Sequence, residues 1–148
     1  MDKKVIGIIA AYTLIMTSLL VATFGADWNP SGYDYSIDGQ TLTIEEGLFS
    51  KETETVDVSD KQMEAVLFYL EVSKERSLWY TDVTVIGLIL PFLLLGFIPE
   101  RRPFRKFIPK QWYIIIVAAI ALLYGAYSVT GHLEHLVQIE EYVSQLLE

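Results

Sequence analysis

The sequence contains no cysteine, which excludes disulfide bonds, thiolate nucleophiles and cysteine-ligated metal sites. It also contains no P-loop, no GxGxxG and no GxSxG, the motifs that bind phosphates and dinucleotides or expose a nucleophilic serine. These absences remove the most familiar enzyme and cofactor sites. The sequence therefore predicts a protein that is not an enzyme and carries no cofactor.

Charged residues are missing from three long stretches, residues 5–26, 83–99 and 111–131. They contain 22, 17 and 21 residues, and a helix of about 17–25 apolar residues crosses a bilayer. Inside them the polar side chains are hydroxyls, such as Tyr12, Thr17 and Tyr124. Transporters and pumps usually place acids or bases there, so a self-contained ion pathway is not expected.

The first stretch has a second interpretation. Basic Lys3 and Lys4 precede it and Gly25-Ala26 ends it, a pattern also found in cleavable signal peptides. It is longer than the usual apolar region of a signal peptide, and Phe24 is too large for the −3 site of a cut after Ala26. We therefore expect a retained membrane helix, with cleavage after Gly25 as the alternative.

A basic loop, residues 99–110, separates the second and third stretches. It carries five cations and one acid, and short loops rich in Lys and Arg stay on the cytoplasmic side. The same cations are candidates for contact with anionic lipid headgroups, with Phe104 and Phe107 entering the leaflet. The five cations are Arg101, Arg102, Arg105, Lys106 and Lys110.

The charges divide unevenly along the chain. The N-terminus and the basic loop together carry +5, and the segments 27–82 and 132–148 carry −13, which recovers the net charge of −8. This asymmetry predicts a multi-pass protein of the plasma membrane with a cytoplasmic N-terminus and an external C-terminus. The acidic exterior argues against a nucleic-acid partner.

Residues 33–58 change to a period of two. Residues 33–37 and 41–45 alternate around Asp38-Gly39, which predicts a hairpin with a type I′ turn because Asp and Gly tolerate positive φ. Gly47 marks a second bend, and residues 48–58 form a third expected strand. A three-strand meander is predicted.

Part of this meander has a recognisable pattern of apolar residues and glycine, formed by Leu42, Ile44, Gly47, Leu48, Phe49, Val56 and Val58. The pattern resembles a hairpin of the bacterial PH-like domains that occur beside membrane helices. The resemblance implies a small membrane-associated β domain and transfers no functional residue. The segment departs from that pattern in being acidic and in its predicted external position.

An amphipathic helix follows. Ser59 and Gln62 have the spacing of a capping box, and a stripe beginning at Met63 is expected to cover the meander. Within the second span Pro91 lacks an amide for the carbonyl of Gly87 and is expected to kink the helix. Pairs of small residues four apart, Gly7 with Ala11 and Ala121 with Gly125, are candidates for helix packing.

The predicted fold is an α-helical integral membrane protein with three transmembrane helices and a small external α+β domain between spans 1 and 2. The expected segments are helix 1 over 1–26, the external domain over 27–78, helix 2 over 79–98, the basic loop over 99–110, helix 3 over 111–131 and an amphipathic tail over 132–148.

The two histidines, His132 and His135, are three positions apart, so both can lie on one helix face and bind zinc or copper with a third ligand. The sequence has no HExxH and no matching ligand set. Ordinary solvated or hydrogen-bonded histidines are the simpler interpretation.

The sequence has no catalytic motif, and its external domain of about 55 residues is only marginally stable by itself. It therefore predicts a non-catalytic accessory or scaffolding subunit of a larger membrane assembly. Its partners would be membrane lipid and other membrane subunits or further copies of itself. A small membrane sensor with an acidic external domain and a metal-dependent membrane enzyme subunit are the alternatives. The expected partner contacts are Met63, Val66, Leu67, Leu70, Leu136, Val143 and Leu147.

Sidedness can be tested directly, because the chain has no native cysteine. Single cysteines at Ser31, Ser50 and Ser144 should react with a membrane-impermeant maleimide applied to intact cells. A cysteine at Arg105 should react only after the membrane is opened. Labelling of Arg105→Cys and Ser50→Cys from the same side would contradict the predicted topology.

Overall fold

The computed structural model describes residues 2–148. Its elements, in order, are α1 (Lys3–Leu20) with a π-helical turn (Val21–Gly25), β1 (Tyr33–Asp38), β2 (Thr41–Glu46), β3 (Glu52–Asp57), α2 (Gln62–Leu95), a 3-10 turn (Pro99–Arg101) and α3 (Lys110–Leu147).

The chain divides into two compact units. The helical unit contains the residues up to Ala26 together with Thr81–Ser128, and the sheet unit contains Asp27–Tyr80 and Val129–Glu148. Each unit is described by itself below.

Three helices of the described chain are long and apolar enough, by length and composition, to cross a membrane. This confirms three long apolar helices. The second is one continuous helix of 34 residues, whereas the sequence was interpreted as an external helix followed by a separate span. No glycine or proline lies between Gln62 and Ile86, so nothing there ends the helix. The third continues through the tail to Leu147, as the helical period of the tail predicts.

The three strands form an antiparallel sheet in the order β1-β2-β3, which confirms the meander. Asp38 pairs with Thr41, so the turn residues are Gly39 and Gln40 instead of Asp38 and Gly39. Of these only Gly39 has a positive φ, 62°, which is the pattern of a type II′ turn. The third strand is shorter than predicted and begins at Glu52.

The predicted capping box is not formed. The Ser59 hydroxyl donates to the Asp57 carboxylate, and α2 begins at Gln62, with the Ala65 amide donating to the Lys61 carbonyl at 3.0 Å. Asp57 accepts from the Ser59 amide as well, at 2.9 Å, and these bonds lower its pKa. The carboxylate therefore takes the hydroxyl that the capping box needed.

The core of the sheet unit joins β2 to α2 and α3. Leu42, Phe68 and Ile139 are each 0% exposed. On α2 the buried stripe is Ala65, Phe68 and Val72, and the predicted stripe lies outside the core, with Met63 69% and Val66 50% exposed. Apolar residues occupy several faces of this helix, so its period alone does not select the face that meets the sheet.

The helical unit satisfies the carbonyl that Pro91 leaves without its amide donor. Pro91 lies inside α2, and the Tyr12 hydroxyl of α1 donates to the Gly87 carbonyl at 3.3 Å. A Cβ at Gly87 would lie 3.0 Å from Met16 Cε, so glycine permits close packing of α1 on α2. The predicted packing residues Gly7 and Gly125 meet nothing within 4 Å.

Replacing Phe68 by Ala should lower the free energy of unfolding of the sheet unit by about 3–5 kcal/mol, because the ring is fully buried and its removal leaves a cavity. Denaturant unfolding in detergent, followed by circular dichroism, measures the change. Val66→Ala, on the exposed face of the same helix, is the matched control and should change stability by about 0.5 kcal/mol or less. Equal losses in both variants would contradict the assignment of the buried face.

Candidate functional site

Two acids on α2 and two histidines on α3 meet inside the sheet unit. Glu71 and Glu75 are four residues apart and His132 and His135 are three apart, spacings that place each pair on one helix face. Glu71 is 3% and Glu75 0% exposed. We call these four residues the His-Glu cluster.

The cluster consists of two carboxylate-imidazole contacts. Nδ1 of His132 lies 2.6 Å from Oε1 of Glu75, and Nδ1 of His135 lies 2.5 Å from Oε1 of Glu71. Each contact is a hydrogen bond between an imidazole and a carboxyl group, and the imidazole tautomer decides which of the two donates. Each buried acid thus has a hydrogen-bond partner on the facing helix.

Glu71 has a further donor, because Lys74 Nζ lies 2.9 Å from its Oε2. Burial by itself raises the pKa of Glu71, but the hydrogen bonds from Lys74 and His135 outweigh it and the pKa lies below the usual range for glutamate. Glu71 is therefore held as a carboxylate, even though its side chain is almost completely buried.

Aromatic rings surround one end of the cluster. The Trp79 ring lies 6.4 Å from the His132 ring, and the Trp28 and Trp79 rings meet edge to face at 5.2 Å. Aromatic surface excludes water, and a hydrogen bond is electrostatically stronger where water is excluded. The His132 end of the cluster is therefore bordered by apolar ring surface.

Metal binding at His132 and His135 stays a prediction. Within residues 2–148, no group of three or more His, Asp or Glu side chains is arranged to hold a metal ion. Sequence reasoning singles out neither Glu71 nor Glu75. The signal that would have found both is an i, i+4 acid pair matched to an i, i+3 histidine pair on another long helix.

Asp82 forms a second polar contact, inside the helical unit. Asp82 is only 4% exposed. It accepts hydrogen bonds from the Tyr124 and Ser128 hydroxyls, both at 2.7 Å. The hydroxyls predicted inside the third span thus bind an acid from α2.

The basic loop divides into exposed and buried cations. Arg101, Arg105, Lys106 and Lys110 are exposed, and Arg102 is only 7% exposed. Its Nη2 donates to the Ile108 carbonyl at 2.7 Å, and its guanidinium lies 5.4 Å from the centre of the Tyr113 ring. Arg102 therefore packs inside the helical unit, unlike the other four cations of the loop.

The predicted partner contacts also separate into two groups. Met63, Val66, Leu70 and Leu147 are exposed, with exposed fractions of 69%, 50%, 44% and 43%. Leu67 is half-buried, whereas Val143 belongs to the core and Leu136 packs against it. Val143 and Leu136 contribute to the packing of the sheet unit, and their role as partner contacts stays a prediction.

Comparison of the chain with protein-family models, with curated proteins and with solved structures found no match. The resemblance of residues 42–58 to a PH-like hairpin therefore gains no support from a relative. Function has to be inferred from the contacts described above.

The lowered pKa of Glu71 predicts an acid-sensitive stability. A carboxylate whose pKa is lower in the folded state contributes stability above its unfolded pKa, about 4.3, and loses that contribution as pH falls through the folded value. Unfolding free energy measured by denaturant titration from pH 7 to pH 3 should therefore decline at the acid end. The free energy of unfolding of Glu71→Gln should be lower than that of the wild type at pH 7 and should decrease less between pH 7 and pH 3. Glu134→Gln, an exposed neighbour of His135, is the control, and equal acid slopes in Glu71→Gln and the wild type would contradict the role of Glu71.

Proposed function

We propose that this chain is a three-span membrane protein, with its N-terminus cytoplasmic and its C-terminus external, that acts as a non-catalytic accessory or scaffolding subunit of a larger membrane assembly. The observation that carries the proposal is an exposed apolar stripe on α2, Met63, Val66 and Leu70, within the sheet unit. We call it the α2 stripe.

The α2 stripe lies on the opposite side of its helix from the core. Its members are spaced i, i+3 and i+7, and Ala65, Phe68 and Val72 are the buried residues of the same helix. Complete burial of a large apolar side chain contributes about 1.5–3 kcal/mol. A partner that covers the stripe would therefore gain several kcal/mol that the isolated chain does not obtain.

The exposed apolar surface of the three long helices supports the membrane placement. The most hydrophobic windows of α1 and α3 have 0% of their residues buried within the chain, and Leu122 and Leu123 are 74% and 73% exposed. Lipid is the solvent in which such surfaces are stable. The basic loop between α2 and α3 supports the orientation.

The His-Glu cluster favours a second candidate, a small membrane sensor. Histidine changes charge between about pH 5 and 8, and both histidines contact buried carboxylates that belong to another helix. A ligand or proton that alters these contacts would alter how α2 and α3 pack in the sheet unit. The sensor differs from the accessory subunit in predicting a conformational change without a protein partner.

The accessory role predicts an assembly that depends on the α2 stripe. In native membranes dissolved in mild detergent, the wild type should migrate on a native gel in a complex larger than one 16.8 kDa chain with its micelle. Val66→Asp and Leu70→Asp should reduce that complex at least severalfold, because each places a charge in the apolar contact.

Thr55→Asp, on the exposed face of β3, introduces the same charge outside the stripe and should leave the complex intact. Circular dichroism of the purified variants separates lost assembly from lost folding. A wild type that migrates as a folded monomer would contradict the accessory role. A pH-dependent change in that monomer would then favour the sensor.

A further inference from the structure

We propose that the helical unit contains a binding site for one anionic phospholipid, with an acyl chain in an apolar groove and the phosphate on the basic loop. The site rests on the proposed membrane placement and adds to it a defined ligand. Its parts are the groove, the adjoining loop and the cations of that loop.

The groove lies between α2 and α3 and has a volume of about 360 Å³, within the usual range of ligand sites. Its lining is apolar and comes from three parts of the unit, including Leu88 and Phe92 of α2, Ile116 and Ile120 of α3, and Phe104 and Ile108 of the basic loop. A hydrocarbon chain matches such a lining, and a hydrated ion does not.

The loop that closes the groove has an unusual backbone at Phe104. Its φ is +58°, a left-handed conformation that is unfavourable for a residue with a bulky side chain such as Phe. The ring is nevertheless 62% exposed, so burial within the chain does not offset that cost. Contact between the Phe104 ring and a hydrocarbon chain in the groove would offset it.

The cations of the loop have no acid partners. Among the described residues, none of Arg101, Arg102, Arg105, Lys106 and Lys110 forms a salt bridge. The only acid of the loop, Glu100, contributes its backbone carbonyl to Arg105 Nη1 at 2.6 Å. The net charge of +4 therefore needs an anion from outside the chain.

Arg102 connects the charge to the groove. It contacts two lining residues, donating to the Ile108 carbonyl and lying over the Tyr113 ring. Its Nε and Nη1 atoms are buried and have no hydrogen-bond partner in residues 2–148. A buried cation with unsatisfied donors is unfavourable unless an anion lies nearby, and a phosphate at the mouth of the groove would supply that charge.

A phospholipid with a net negative charge combines both features in one molecule. A zwitterionic lipid would fill the groove but would leave the loop charge uncompensated. Inorganic phosphate would compensate the charge but would leave the groove empty. The combination of an apolar groove and unpaired cations therefore favours an anionic lipid over either.

The test is native mass spectrometry of the full chain from mixed micelles that contain phosphatidylglycerol and phosphatidylcholine with identical acyl chains. The wild type should retain phosphatidylglycerol about tenfold more than phosphatidylcholine, and excess inorganic phosphate should not displace it. Arg105→Gln with Lys106→Gln should bring the two lipids to similar retention. Lys3→Gln with Lys4→Gln removes the same charge from exposed N-terminal positions and should change little.

A matched pair of variants tests the groove. Phe104→Ala should lower retention of phosphatidylglycerol severalfold. Phe107→Ala should leave retention unchanged, because Phe107 lies in the same loop but is 84% exposed and outside the groove. Both rings are exposed, so neither change should unfold the chain, and circular dichroism verifies this.

Equal retention of the two lipids by the wild type, or equal effects of Phe104→Ala and Phe107→Ala, would overturn the site. Displacement by inorganic phosphate would show a simple anion site and would overturn it as well. If the chain inserts into membranes but shows no lipid preference, the lipid site is excluded and the proposed membrane placement stands. Recovery of the chain in the soluble fraction would remove the membrane placement and the lipid site together.

Discussion

The burial of two carboxylates in the sheet unit constrains how α2 and α3 pack. Glu71 and Glu75 are almost completely buried, and each contacts an imidazole of α3. Leaving a buried polar group without its hydrogen-bond partner typically costs about 1–3 kcal/mol. A one-residue shift of α3 would turn its histidines by about 100° and separate both pairs. The apolar core formed by Phe68, Ile139 and Leu146 is compatible with that same register.

The helical unit obeys the same constraint with neutral partners. Tyr124 and Ser128 hydroxyls bind Asp82, and the Tyr12 hydroxyl binds the carbonyl that Pro91 leaves without an amide. In a bilayer no water is present to satisfy these groups, so the protein must do so. Among the described residues the loop cations form no salt bridge with an acid, which is the physical basis for assigning them an anionic lipid.

Much of the site was outside the reach of sequence reasoning. His132 and His135 were recognisable as a pair, but their partners lie 57 and 64 residues away on a helix whose acids resemble an ordinary solvated face. The buried position of Arg102 was equally hidden, because a basic loop indicates charge and sidedness without showing which cation folds inward. The exposed α2 stripe was named as a partner surface, although its apolar residues were also expected to cover the sheet.

The sequence by itself determined the three long apolar helices and the three-strand meander, because charge-free runs and period-two alternation depend only on neighbouring residues. It could not determine that the turn uses Gly39 and Gln40, that Ser59 binds Asp57, or that Ala65, Phe68 and Val72 form the buried face of α2. Only the tertiary structure decided these, because each is a choice between locally similar alternatives. Contacts between residues distant in the chain also decided the pairing of Glu71 and Glu75 with histidines. These acids become buried only when α2, α3 and the sheet pack together, and local sequence does not show that packing.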